Sequence, residues 1–275
     1  MKQSKYSSSA AKAAVALAII LAALAVDFSA LGAEIRGTIV RKNGNTETGD
    51  ISWLGASKTY RVRKDGVSIR VAPDEVAEVR VPKPEGFDRA VQQIQRGSYS
   101  AGIDKLESVR DDYERLGWDI QAARWLAYAY LNDNNSSKAL RMCEDVIDNN
   151  PQAALDPAFA SVYWDALIEQ ERIPALKDKL EKAIREGSRE LAAVAQIKRG
   201  HMERKNANFE KALVDGYLRT IVMFKRVRSA QPEALYYAIR CFEELGQHTH
   251  AEEMRKTLLE QFPDNSYTRK LRSEM

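Results

Sequence analysis

The sequence predicts a mainly α-helical protein in which about five helical hairpins form a solenoid behind a small antiparallel β module. Two observations predict it: β-branched residues alternate with period two over residues 34–82, and small residues recur every 36 to 39 positions after Pro84. A helix-turn-helix repeat of this length is typical of solenoids, because each hairpin buries its apolar face against its neighbours. We therefore expect three segments, comprising residues 1–33, 34–82 and 85–275.

The composition excludes several classes of protein. The chain has 275 residues, of which 44% are hydrophobic and 29% charged, and its net charge is +3. Three lysines against one aspartate in residues 1–33 account for two of these charges, so the remainder lacks the basic excess of a nucleic-acid binder. Two cysteines exclude a disulfide-stapled scaffold and a four-thiolate zinc site, and three histidines leave little for metal catalysis. We expect no cofactor and no nucleic-acid partner, and we expect Cys143 and Cys241 to be buried free thiols.

Residues 1–33 have the three parts of a secretory signal peptide. Lys2, Lys5 and Lys12 precede the apolar stretch Ala13–Val26, and small residues follow to Ala33. Fourteen apolar residues cover about 21 Å of helix, less than the ~30 Å hydrocarbon core of a bilayer. We expect cleavage near Ala33 and a periplasmic or secreted protein.

An N-terminal membrane anchor is the alternative, and membrane contact would then occur only through the uncleaved signal. No cysteine follows the apolar stretch, which excludes a bacterial lipid anchor on such a residue. The mature chain, residues 34–275, is therefore expected to be free of lipid.

Residues 34–82 carry the pattern of five short strands. The strands are expected over residues 35–40, 50–54, 59–63, 67–71 and 76–81. Asn43-Gly44 and Asp65-Gly66 are strong signals for tight hairpin turns, and Pro82 ends the last strand. Such a module resembles the SH3-like barrels, with a rolled open sheet as the alternative, and the pattern does not indicate what it binds.

The helical part repeats with a register marked by small residues. Each of these residues follows a polar or glycine-containing turn and begins an amphipathic run, so we place it at the start of the second helix of a hairpin. The five are Gly102, Ala139, Ala175, Ala212 and Ala251, with the third unit shifted by one residue.

Two of these units carry a recognisable motif. One contains Trp-Leu-Ala-Tyr-Ala-Tyr over residues 125–130, then Ala139 and Pro151, and the other extends from Leu235 to Pro263. On these motifs residues 85–270 resemble tetratricopeptide repeats (TPRs). The ending Leu-Leu-Glu-Gln-Phe-Pro-Asp-Asn-Ser-Tyr, residues 258–267, resembles the final repeat of the Tol–Pal coordinator and of the outer-membrane assembly lipoproteins. This resemblance implies an envelope location and a scaffold role.

In TPR proteins the first helix of each pair lines a concave groove, and the resemblance implies a set of groove residues here. The expected set is Arg124, Tyr128, Asn132, Trp164, Lys198, His201, Tyr236, Tyr237 and Arg240. Aromatic residues and arginine dominate the binding energy of protein interfaces. Their mixture favours a protein or peptide partner with apolar and acidic features. The alternative is that Tyr128, Trp164 and Tyr236 fill the core between helices.

Motifs of catalysis and metal binding are missing from the sequence. His248-Thr249-His250 has no third ligand within reach, and His201 has no serine or cysteine nucleophile motif beside it. We therefore expect an exported, non-catalytic scaffold that binds another envelope protein through its groove.

Two other functions remain open. In the first, the β module attaches the protein to the envelope or mediates self-association, and the repeats act as a spacer. In the second, the protein is an envelope hydrolase. Its sign would be a deep pocket that gathers His201 with a carboxylate and a hydroxyl, which the spacing of these residues gives no reason to expect.

Overall fold

The computed structural model describes residues 33–275, so the expected signal segment, residues 1–33, lies outside the described part except for Ala33. The strands are β1 Ile35–Arg41, β2 Thr46–Leu54, β3 Thr59–Lys64, β4 Val67–Val71 and β5 Val76–Arg80. The first helices of successive hairpins are α1 Phe87–Gln95, α3 Trp118–Asn132, α5 Pro157–Glu169, α7 Arg189–Lys205 and α10 Gln231–Glu244. Their second helices are α2 Tyr99–Asp112, α4 Ser136–Asn149, α6 Ile173–Glu186, the pair α8 Phe209–Ala212 and α9 Leu218–Met223, and α11 His248–Gln261. Helix α12, Ser266–Ser273, follows the last hairpin. The predicted fold class is confirmed.

The chain divides into two compact units. The β unit holds the described residues through Pro84 together with Val109–Asp119, and the helical unit holds Glu85–Ser108 and Ile120–Met275. Among residues 33–275, no helix combines the length and the apolar composition needed to cross a membrane.

The β unit is one antiparallel sheet in the order β4-β3-β2-β1-β5. Its two predicted tight turns are present, with positive φ at Gly44, Asp65 and Gly66. The alternation of apolar residues buries one face of the sheet, where Ile39 and Ile51 are fully inaccessible to solvent.

A segment that is distant in sequence completes the core of this sheet. Leu116 packs into the apolar cluster, and the Tyr60 hydroxyl donates a hydrogen bond to the carbonyl of Arg115 over 3.1 Å. The Arg115 guanidinium lies 5.0 Å from the Trp53 ring centroid. A sheet of about fifty residues buries little area alone, so this segment supplies apolar contacts that the strands lack.

The small residues that mark the repeat occupy one position of the hairpins. Gly102, Ala139, Ala212 and Ala251 are each the fourth residue of a second helix, and all four are buried. In the third hairpin Leu176 takes that position, while Ala175 precedes it and is exposed. The predicted register is therefore confirmed, including the shift by one residue in the third unit.

The turn inside each hairpin has the same backbone geometry. A residue with positive φ lies two positions before every second helix, at Gly97, Asn134, Glu171, Ala207 and Gly246. The next residue donates its N–H to the carbonyl five residues back, as Ser98 does to Gln93 and Gln247 to Phe242. This is the Schellman pattern, which satisfies the carbonyls at a helix end.

Both cysteines are buried free thiols, as predicted. Cys143 lies in α4 and Cys241 in α10. Burial raises the pKa of Cys143 to about 12 and that of Cys241 to about 11, so neither thiol ionises near neutral pH.

Candidate functional site on the first helices

The nine predicted groove residues all lie on first helices of the helical unit, and they fall into two groups. Arg124, Tyr128 and Asn132 follow one another at four-residue intervals along α3, and we call them the α3 strip. The other six lie on α5, α7 and α10, where Trp164, Lys198 and Tyr236 are each only 3% exposed.

The α3 strip presents its aromatic ring to solvent. Tyr128 is 39% exposed, and its ring meets the ring of Trp125 edge-on at a centroid distance of 5.6 Å. Asn132 donates its side-chain amide to the carbonyl of Tyr128 over 2.8 Å. Partial burial raises the pKa of Tyr128, so the phenol is protonated at neutral pH and available as a hydrogen-bond donor.

Arg124 is the charged member of the strip. Its guanidinium lies 5.0 Å from the Trp125 ring centroid, and its Nε atom is buried with no hydrogen-bond partner. Within the described part of the chain no ion pair involves Arg124. Burial lowers the pKa of the guanidinium while the Asp156 carboxylate acts in the opposite direction. The planar fork of arginine therefore remains available for a carboxylate.

The buried group is organised around Lys198. Its ammonium lies 2.8 Å from Oδ2 of Asp165 and 3.4 Å from Oε1 of Glu233, so it joins α7 to both α5 and α10. Burial opposes the charged form of Lys198, but the two carboxylates outweigh that cost and raise its pKa. Asp165, Lys198, His201, Tyr217 and Glu233 form what we call the Lys198 cluster.

Both ring nitrogens of His201 are used inside this cluster. Nε2 lies 2.8 Å from Oε1 of Glu233, and Nδ1 lies 2.7 Å from the hydroxyl of Tyr217. Burial lowers the pKa of His201 although Glu233 favours the cation, so the ring is neutral at pH 7. In that form Nε2–H donates to the Glu233 carboxylate and Nδ1 accepts from the Tyr217 hydroxyl.

Aromatic rings cover the Lys198 cluster. The Tyr237 ring lies 4.4 Å from the His201 ring and stacks on that of Tyr217 at 5.8 Å. The Arg204 guanidinium lies 4.9 Å from the Tyr237 centroid, and Tyr267 of α12 lies 6.1 Å from the same ring. These rings limit the access of water, which strengthens the ion pairs beneath them.

The chain itself engages two further predicted groove residues, Tyr236 and Arg240. The Tyr236 hydroxyl lies 3.0 and 3.1 Å from the two carboxylate oxygens of Glu274, and Arg240 pairs with the same carboxylate. A carboxylate is thus already bound where the sequence predicted acidic features in a partner. Of the nine predicted residues, those of the α3 strip have no such internal carboxylate among the described residues.

Three members of the Lys198 cluster were missed by sequence analysis. Asp165, Tyr217 and Glu233 carry no motif of their own, but Asp165, Lys198 and Glu233 stand 33 and 35 residues apart. Charged residues of alternating sign at the repeat spacing are therefore the signal that points to them.

His201 does meet a carboxylate and a hydroxyl, which the spacing gave no reason to expect. The hydroxyl belongs to Tyr217, whose side chain is fully buried and whose pKa is raised by that burial. Both nitrogens of His201 are already hydrogen bonded within the cluster, so the group holds helices together and offers no exposed nucleophile. Within residues 33–275 no group of three or more metal-binding side chains is assembled.

Comparison with known proteins finds similarity over part of the chain. A family model described as "YfiO: Outer membrane lipoprotein" matches residues 80–199. A solved structure of TTC0263, a thermophilic TPR protein of Thermus thermophilus, is similar at 19% identity over 68% of this chain and 95% of that chain, with a TM-score of 0.49. MamA AMB-1 is similar at 16% identity over 64% of this chain and 97% of that chain, with a TM-score of 0.39. A comparison with curated proteins finds no match.

The family match covers the end of the β unit and the first three hairpins, through most of α7. Five hairpins share one register and one turn geometry, which is the arrangement that the repeat pattern predicted. The match and the register together confirm the predicted resemblance to tetratricopeptide-repeat proteins of the envelope type.

Proposed function

We propose that this protein is an exported, non-catalytic adaptor that binds an envelope protein or peptide through the groove formed by its first helices. The proposal places the contact at the α3 strip, because the other predicted residues are buried, paired with the chain's own carboxylates or, like Tyr237, packed between aromatic rings. Export with cleavage near Ala33 is part of the proposal, and so is the absence of a lipid anchor. The chain has two cysteines, and both are buried within helices.

The observation that carries the proposal is the guanidinium of Arg124. It is held against Trp125 with a buried Nε that lacks a hydrogen-bond partner, beside an exposed tyrosine. Because no ion pair among the described residues uses the terminal nitrogens of this guanidinium, they are left to bind a partner's carboxylate. The chemistry favours a partner segment with an acidic residue next to an apolar one.

Capture from an envelope extract tests the proposal. The immobilised mature chain should retain a partner, and Arg124→Ala with Tyr128→Ala should weaken the measured affinity for that purified partner about tenfold or more. Arg124→Lys keeps the charge but loses the fork, and it should show an intermediate loss.

The matched control is Arg141→Ala with Leu155→Ala, which removes an exposed arginine and an exposed apolar side chain elsewhere in the helical unit. This variant should bind as the unchanged chain does. If the α3 double variant also binds with unchanged affinity, the groove assignment is wrong.

A second candidate function rests on strand β4. This strand pairs only with β3 among the described strands, and it presents Val67 and Ile69 at 64% and 39% exposure. An exposed apolar edge strand is a template for another strand, either from a partner or from a second copy. Val67→Lys with Ile69→Lys in the complete mature chain distinguishes the two candidates, because this variant should lose the partner only if the edge strand binds it.

A further inference from the structure

The second helix of the fourth hairpin exposes apolar side chains that the helical unit does not use. Val214, Val222 and Met223 are 54%, 73% and 61% exposed, and Leu218 lies between them half-buried. The opposite face of the same segment is buried, with Tyr217 and Thr220 fully inaccessible. A cluster of exposed apolar residues on a folded surface marks an interaction site.

Basic residues are concentrated beside these apolar side chains. Residues 218–228 contain Arg219, Lys225, Arg226 and Arg228 and no acidic residue, although the whole chain has a net charge of only +3. Arg219 pairs with Asp215, whereas Lys225 and Arg226 are exposed and have no ion-pair partner in the described part of the chain. The positive charge of this segment is therefore only partly neutralised.

The structure holds this segment in place. Arg189 donates to the carbonyl of Met223 over 2.7 Å and lies 5.4 Å from the Phe224 ring centroid, while Gln231 donates to the carbonyl of Phe224 over 3.0 Å. The end of α9 is thus tied to the starts of α7 and α10. Its exposed apolar side chains are presented by a packed helix rather than by a loose end.

We propose that this surface, residues 214–228, docks the helical unit on an anionic phospholipid bilayer. Apolar side chains next to basic ones match the two chemistries of a lipid surface, in which acyl chains lie beneath negatively charged headgroups. The mature chain would then reach the membrane through a face of its folded part, independently of the N-terminal segment and of the α3 strip.

Vesicle co-sedimentation of the mature chain, residues 34–275, tests this proposal without the apolar N-terminal stretch. Vesicles of phosphatidylglycerol mixed with phosphatidylcholine should bind the protein at least tenfold more strongly than pure phosphatidylcholine, and high salt should weaken the binding. Lys225→Gln with Arg226→Gln should lower the partition coefficient about tenfold or more. Val222→Asn with Met223→Gln should lower the partition coefficient on anionic vesicles about tenfold, because it removes apolar area that would enter the bilayer. Both side chains are exposed, so the fold does not depend on them.

Matched controls lie in the β unit. Lys64→Gln with Arg70→Gln removes the same charge from another exposed site, and Val67→Asn removes a valine that is 64% exposed, against 73% for Val222. Both controls should bind anionic vesicles within twofold of the unchanged chain.

Three outcomes would overturn the proposal. They are binding that ignores lipid charge, binding that survives both variants of residues 222–226, and no binding to either vesicle. Gel filtration accompanies the assay, since a dimer that dissociates in Val222→Asn with Met223→Gln and does not bind vesicles would assign the surface to a second copy of the chain.

Discussion

Gly216 approaches Gly200 so closely that a β-carbon on Gly216 would lie 2.4 Å from the Cα atom of Gly200. Gly200 lies on α7, and Gly216 lies on the π-helical turn Leu213–Tyr217 that joins α8 to α9. A β-carbon on Gly200 would in turn lie 2.7 Å from the Tyr217 ring. The absence of side chains at Gly200 and Gly216 therefore lets Tyr217 reach His201.

Gly216→Ala should destabilise the helical unit, because the added methyl group meets backbone atoms that cannot move aside. We expect a loss of about 1–3 kcal/mol in the free energy of unfolding, measured by chemical denaturation. Gly55→Ala is the control, since no heavy atom lies within 4 Å of the added group, and it should change stability by less than about 0.5 kcal/mol. Equal stability of both variants would contradict the close approach of the two backbones.

Ala207→Gly should stabilise the protein. Ala207 has a φ of 57° in the turn of the fourth hairpin, and an L-residue in this conformation carries a cost of about 1–2 kcal/mol that glycine avoids. Glycine also makes the unfolded chain more flexible, so we expect a net gain of about 0.5–1 kcal/mol. The control is Ala175→Gly at an exposed position of α6, where glycine should lower stability by a similar amount. Thermal and chemical unfolding of the two variants should therefore shift in opposite directions.

The positions of the hairpins could be predicted because small side chains recur in the sequence at the spacing of the repeat. In four of the five hairpins a small residue lies where the second helix meets the first, and in the first hairpin a β-carbon on Gly102 would lie 2.6 Å from Ile94. The turns were harder to predict. Three of the five left-handed positions are held by Asn134, Glu171 and Ala207 rather than by glycine, so the backbone geometry repeats without a repeated residue type.

Lys198→Met should weaken the packing of α7 against α5 and α10. The change keeps much of the side-chain volume but leaves the carboxylates of Asp165 and Glu233 facing each other without a cation. Removing one partner of a buried ion pair costs about 3–5 kcal/mol, and we expect about 2–3 kcal/mol here because the Asp165 side chain is 37% exposed.

Lys182→Met is the matched control for that change. Lys182 is exposed on α6 and has no ion-pair partner in the described residues, so its replacement should alter the free energy of unfolding by less than about 0.5 kcal/mol. If the two methionine variants unfold at the same denaturant concentration, Lys198 contributes nothing through its ion pairs.

The Lys198 cluster shows why the candidate site was only partly predictable. Periodicity placed Lys198 and His201 on a first helix, but their burial depends on Tyr237 and Tyr267, which come from two later helices. Whether a charged residue faces solvent or a carboxylate depends on the packing of neighbouring helices, and no local pattern reports that packing.

The pH dependence of the free energy of unfolding should reveal that His201 is buried in its neutral form. Burial lowers the pKa of its ring beside Glu233, Lys198 and Tyr217, so below about pH 6.5 the unfolded chain binds a proton that the folded protein does not. The free energy of unfolding should therefore fall as the pH drops below about 6.5, by at most about 1.4 kcal/mol per pH unit. Glu233, whose pKa is lowered by Lys198 and His201 despite its burial, adds its own loss of stability only below about pH 4.3.

His201→Gln should reduce the slope of the unfolding free energy against pH between pH 5 and 6.5, whereas His248→Gln, at an exposed histidine, should leave that slope unchanged. Urea denaturation at pH 5.0, 5.5, 6.0, 6.5 and 7.5 measures this slope, and an identical slope in the His201→Gln variant would show that another group binds the proton.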